Sequence, residues 1–127
     1  MEDKPLWDKT EKIIGACIEV HNHLGPGFME TIYQRALWRE LDARGIEFGR
    51  EVEVEIFYKG QRVGKKRMDF HFEDVILEIK AKSQLEPVDA QQLLGYLYAT
   101  NIKVGLLINF GLAKLEVRRV INNRYKE

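Results

Sequence analysis

The stretch "RMDFHFEDVILEIKAK" (Arg67–Lys82) decides the fold. Its first half alternates, with Asp69, His71 and Glu73 on one side and Phe70 and Phe72 on the other. Its second half, from Val75 to Ala81, is apolar on both faces except at Glu78 and Lys80. Period-two alternation running into a continuous apolar segment reads as a half-buried strand that turns back into a central strand. A turn centred on Glu73 and Asp74 places Phe72 against Val75, His71 against Ile76 and Phe70 against Leu77. Asp69 then falls opposite Glu78, with Cβ atoms about 4.5–5.5 Å apart, where like charges destabilise a strand pair. Lys80 shares the Glu78 side. A divalent cation between the carboxylates removes the repulsion, and hard oxygen ligands completed by water suit Mg²⁺ or Mn²⁺. An ammonium beside such a cation suits phosphodiester hydrolysis, because it stabilises charge on a phosphorane-like transition state. The competing reading is a solvent-facing Glu78–Lys80 pair with Asp69 paired to Arg67. The apolar setting opposes it, since charge in a central strand is costly without partners.

Outward from this hairpin, residues 5–23 suit a helix with Pro5 in its first turn and Ile13, Cys17, Val20 and Leu24 as its buried stripe. Gly25-Pro26-Gly27 breaks it. A second helix is expected from Phe28 to Arg44, with Phe28, Ile32, Ala36, Leu37 and Leu41 inward and Gly45 as its stop. Val52, Val54 and Ile56 alternate with Glu51, Glu53 and Glu55 as a half-buried strand, Lys59-Gly60 is a turn, and Val63–Phe72 is the next strand. Pro87 opens a third helix with Ala90, Leu93, Leu94 and Leu97 inward. Lys103–Gly111 reads as a buried strand and Leu115–Ile121 as an exposed one. The order α-α-β-β-β-α-β-β predicts an α/β fold, a mixed central sheet flanked by helices.

The chain has 127 residues, 45% hydrophobic and 31% charged, which fits a single domain over residues 1–127 with a real core. No apolar run is long enough to span a membrane, and the charged start "MEDKPLWDKTEK" lacks a signal peptide's apolar segment. Cys17 stands alone, so no disulfide framework exists and a reducing cytoplasm is the natural compartment. Twenty basic residues balance twenty acidic ones, so the overall basic field of many nucleic-acid binders is absent. The charges are nonetheless segregated: Glu47, Glu51, Glu53 and Glu55 precede Lys59, Arg62, Lys65, Lys66 and Arg67. That pattern reads either as a phosphate-contacting run or as a strand edge protected by charge.

Asp69 followed by Glu78-Ile79-Lys80 resembles the PD-(D/E)xK nuclease signature, although Met68 stands where the signature has proline. "GFMETIY" (Gly27, Glu30, Tyr33) resembles the motif that names the GxxExxY protein family within that superfamily. "HLGPGF", "LEIKA", "QLLGYL" and "KVGLLINFG" are similar to further segments of it, from about Ile13 to Ile121. The resemblance implies a restriction-endonuclease-like fold and a metal-dependent nuclease acting on DNA, with RNA as an alternative substrate. It implies Asp69 and Glu78 as metal ligands, Lys80 as the catalytic lysine and Glu30 as an additional metal-binding acid. Gln92 and Tyr96 resemble the Q-x-x-x-Y motif of RecB-like nucleases, whose glutamine sits near the active site and DNA.

From the residues alone, Glu30 also reads as a first-turn acid favoured by the helix dipole, Tyr33 and Tyr96 as core aromatics, and Gln92 as an exposed helix residue. Cys17, His21 and His23 lack the ligand number of a structural zinc site. His71 reads as a polar neighbour of Asp69. No Lys-Ser/Thr follows the Gly-Pro-Gly turn, so ATP dependence is not expected. Lys65, Lys66 and Arg67, with Arg118, Arg119 and Arg124, are candidate phosphate contacts. Two other functions stay open: a nucleic-acid-binding or assembly module without catalysis, and an interaction protein that dimerises. For a nuclease this small, a homodimer or a protein partner is a natural source of specificity.

Overall fold

The computed structural model describes residues 3–127, so the first two residues of the charged start lie outside it. The elements follow in the order α1 (Lys4–Leu24), α2 (Glu30–Ala43), β1 (Gly49–Tyr58), β2 (Gln61–His71), β3 (Val75–Lys80), α3 (Pro87–Thr100), β4 (Val104–Asn109) and β5 (Glu116–Ile121). The five strands form one mixed sheet in the order β1-β2-β3-β4-β5. The α/β architecture is the one expected. β3 and β4 are buried along essentially their whole length, as strands covered on both faces must be.

The β2–β3 register agrees with the sequence reading: Phe70 pairs with Leu77 and His71 with Ile76, antiparallel. The Phe72 N–H donates to the Val75 carbonyl at 2.8 Å, and Glu73 takes a positive φ of 70° to make the two-residue turn.

By contact the chain divides into two compact units. One comprises the chain up to Glu47 with Ile79–Leu85 and Ile108–Arg118. In it α1 buries Ile13, Cys17 and Val20 as expected, together with Leu6, Ile14 and Ala16, while Leu24 is only half-buried. His21 is buried because its Nε2 meets the Leu112 carbonyl at 2.8 Å. α2 departs from expectation. It starts at Glu30, and Phe28 and Ile32 are exposed. The helix is phased by Tyr33, Leu37 and Leu41, four residues apart on one stripe, which turns Ile32 outward. Tyr33 is fully buried; its ring stacks on Phe110 at 4.7 Å, and its hydroxyl donates to the Gly25 carbonyl at 2.6 Å. The same hydroxyl accepts the Phe28 N–H at 3.2 Å. Tyr33 is thus a core aromatic with a satisfied hydroxyl.

The other unit comprises Phe48–Glu78, Glu86–Leu107 and Arg119–Glu127. β1 and β2 form a long antiparallel hairpin closed by Lys59 and Gly60, both at positive φ, as a two-residue type I′ turn requires. Phe48, Phe70 and Phe72 pack their rings 5.7–6.3 Å apart beneath it. α3 begins at Pro87, where the Asp89 carboxylate accepts the Glu86 N–H at 2.7 Å and so caps the first turn. Leu93 and Leu97 are its buried stripe, with Ala90 and Leu94 half-buried. The buried Asn122 amide donates to the carbonyls of Leu97 at 3.0 Å and Ile102 at 2.9 Å, tying the end of β5 to α3.

Candidate functional site

Glu78 is only 8% exposed, in a strand whose other residues up to Ile79 are Val, Ile and Leu. That burial removes the solvent-facing reading of this strand. Its Oε1 accepts the backbone N–H of Asp69 at 3.0 Å, which binds the end of one carboxylate side chain to the main chain carrying the other. The hydrogen bond brings two carboxylate-bearing residues together across the β2–β3 pair. Asp69 is half-buried.

Tyr96 reports on this pair from α3. Its phenol pKa is raised, first by burial and then by the negative charges of Glu78 and Asp69. The phenol therefore stays a neutral hydrogen-bond donor well past neutral pH. Tyr96, Gln92 and Lys66 line one cleft of about 580 Å³, together with Phe57 and Tyr98. Gln92 is exposed and lies off the Leu93/Leu97 stripe. The unit thus contains Asp69, Glu78, Lys66, Gln92 and Tyr96, all singled out by the sequence. It also supplies Phe57 and Tyr98, which the sequence reading did not name.

The remaining candidates lie elsewhere. Lys65 pairs with Glu53 at 3.2 Å, and Arg62 approaches Glu55 at 3.9 Å. Arg67 stands opposite Glu53 in the ladder. The segregated charges therefore meet across the hairpin. Lys80 ends β3, two residues beyond Glu78 and so on the same side of the strand. Glu30 is the first residue of α2, where its charge suits the helix N-terminus. It follows directly on the turn that Tyr33 pins to Gly25. Arg118 contacts Glu116 at 3.2 Å, and the Arg124 guanidinium lies over the Tyr98 ring at 4.1 Å. His71 turns to the Glu73 carbonyl at 3.2 Å.

Asp69 and Glu78 offer only oxygen donors, as a hard divalent cation requires. Among the described residues no group of three or more His, Cys, Asp or Glu side chains is gathered to hold a metal ion. Water would complete such a shell. The pair fits the cation.

The family model of the PD-(D/E)XK nuclease superfamily matches residues 7–120. The chain belongs to the PD-(D/E)XK nuclease superfamily. Among solved structures, this PD-(D/E)XK chain superposes on the crystal structure of SSO0001 with a TM-score of 0.58 and 22% identity, over 72% of its own length. It spans about half (48%) of that protein, and at this identity the likeness shows the fold. No curated protein matches the chain. PD-(D/E)XK nucleases typically use divalent metals. Among the described residues no helix is long and apolar enough to cross a membrane.

Proposed function

We propose that this protein is a metal-dependent nuclease that hydrolyses phosphodiester bonds in DNA, with Mg²⁺ as its natural cation and Mn²⁺ as a substitute. The observation that carries the reading is the buried Glu78 carboxylate, facing Asp69 from a strand that is apolar apart from Glu78 and Lys80. Two carboxylate-bearing residues brought together across a strand pair repel each other, and a divalent cation held between them would offset that repulsion.

Asp69 and Glu78 are assigned to hold the cation. When bound, it supplies a polarised phosphoryl oxygen and a water of lowered pKa. Lys80 holds positive charge on the Glu78 side of β3, where it offsets the negative charge of the transition state. Gln92 and the neutral Tyr96 phenol donate hydrogen bonds to the phosphate or its neighbours, which orients the scissile bond. Glu30 is assigned to the additional acid by its motif position alone. Lys66, with Lys65 and Arg67 beside it, is assigned to the nucleic-acid backbone. We read the whole chain as one domain of the GxxExxY type.

The test is cleavage of labelled single- and double-stranded DNA, with an RNA arm, in Mg²⁺, Mn²⁺ or EDTA, comparing wild type with Glu78→Gln. Glutamine keeps the acceptor for the Asp69 N–H and removes the charge. Cleavage that requires metal and falls at least a hundredfold in Glu78→Gln is the expected result. Equal cleavage by both proteins, or none by either at high enzyme, refutes the assignment.

A further inference from the structure

We propose that the cleft between α3 and the β1–β2 hairpin binds an unpaired stretch of polynucleotide, its bases stacked on Phe57, Tyr96 and Tyr98 and a phosphate near Lys66. The inference rests on the nuclease reading and names the form of nucleic acid that reaches the site.

The lining chemistry comes first. Phe57 is 58% exposed, a large apolar ring that the core does not use. Tyr96 and Tyr98 present further ring surface in the same cleft, Lys66 supplies the cation, and the acid that lines it, Glu55, has the Arg62 guanidinium 3.9 Å away. Arg124 over Tyr98 and the 2.8 Å bond from the Tyr98 hydroxyl to Asn123 hold that ring in place before any ligand arrives. Aromatic faces beside sparse positive charge suit unpaired bases, because every base has a face to stack and the contact tolerates any sequence.

The charge pattern disfavours a duplex. A two-stranded ribbon such as the β1–β2 hairpin has the dimensions to enter a major groove. Here, however, β1 exposes Glu51, Glu53 and Glu55, and Lys65 and Arg62 lie within 4 Å of two of these glutamates. Such a ribbon has little net attraction for the two phosphate walls of a groove. The cleft volume of about 580 Å³ falls in the range of sites that enclose small molecules, and so suits single nucleotides.

A missing side chain points the same way. Gly95 lies inside α3, where glycine costs up to about 1 kcal/mol relative to alanine. A Cβ there would meet nothing within 4 Å, so packing gives no reason for glycine. Gly95 lines the cleft, and its lack of a side chain keeps the cleft open.

The test is fluorescence anisotropy of labelled oligo(dT), oligo(U) and a blunt DNA duplex of equal length, with the full chain in EDTA so that no cutting occurs. Wild type is expected to bind at least one single strand about tenfold more tightly than the duplex, and the oligo(dT) and oligo(U) arms identify the sugar. Phe57→Ala is expected to weaken single-strand binding about 5- to 100-fold, on the scale of one lost base stack, with little change on duplex. Gly95→Ala should raise the melting temperature, whereas Gly95→Leu should keep the fold, by circular dichroism, and lose single-strand binding. Tighter binding to duplex, or single-strand affinity unchanged in both Phe57→Ala and Gly95→Leu, overturns the proposal. Single-strand preference in a protein that shows no metal-dependent cleavage would keep the cleft assignment and remove the nuclease reading. Metal-dependent cleavage with no strand preference would do the reverse.

Discussion

At the scale of single residues, burial decides what each ionisable group can do. Cys17 and Glu78 are both buried, with opposite consequences. The Cys17 thiol has its pKa pushed up from 9.0 to about 12, chiefly by desolvation, with Arg44 opposing weakly. It is an inert part of the α1 core. Because the folded pKa lies above the unfolded one, its contribution to stability is fully present below pH 9. Above that, the unfolded thiol ionises while the folded one does not, so stability falls at about 1.4 kcal/mol per pH unit toward pH 12. Urea unfolding of wild type and Cys17→Ala from pH 8 to 10.5 should show the wild-type advantage shrinking by about 2 kcal/mol over that span. A constant difference across the series would contradict the assignment of the buried thiol. Glu78 stays in the strand with its Oε1 on the Asp69 N–H, and the functional reading follows from that juxtaposition of two acids.

Elements position these residues through contacts of very unequal legibility. The Asp69–Glu78 juxtaposition was readable because period two, a two-residue turn and a central apolar strand together leave one register open. The extent of α3 was readable from Pro87 and its stripe. The phase of α2 was not, since Phe28 and Ile32 are as apolar as the residues that win the core. What decides it is the Tyr33 hydroxyl reaching back to the Gly25 carbonyl, a polar contact that hydrophobic periodicity does not encode. The cleft was hidden for another reason, because Phe57 and Tyr98 come from elements far apart in the sequence.

Asn109 was also silent in the sequence, reading only as the polar end of a buried strand. Its amide accepts the Lys82 N–H at 3.0 Å, donates to the Lys82 carbonyl at 2.9 Å and accepts the Gly111 N–H at 3.0 Å. This clamp holds the segment immediately after Lys80, where Gly111 packs so closely on the Lys82 backbone that no side chain fits. Asn109→Ala leaves those backbone groups unsatisfied and should cost about 2–4 kcal/mol in urea unfolding. It should also lower any cleavage rate by loosening the end of β3. A variant as stable as wild type would show that the clamp carries no load.

For the whole molecule, balanced charge and a hairpin that pairs its own ions leave little long-range attraction for nucleic acid. The proposed nuclease therefore draws its affinity from short-range stacking and from a cation at the Asp69–Glu78 pair, which makes that pair the point on which the proposal turns. Binding of Mn²⁺ to the purified chain, followed by electron paramagnetic resonance, tests that pair without needing a substrate. The account predicts one bound ion per wild-type chain, competed by Mg²⁺, and affinity at least tenfold weaker in Asp69→Asn and Glu78→Gln that melt no lower than wild type without metal. Equal Mn²⁺ affinity in wild type and both variants would contradict it.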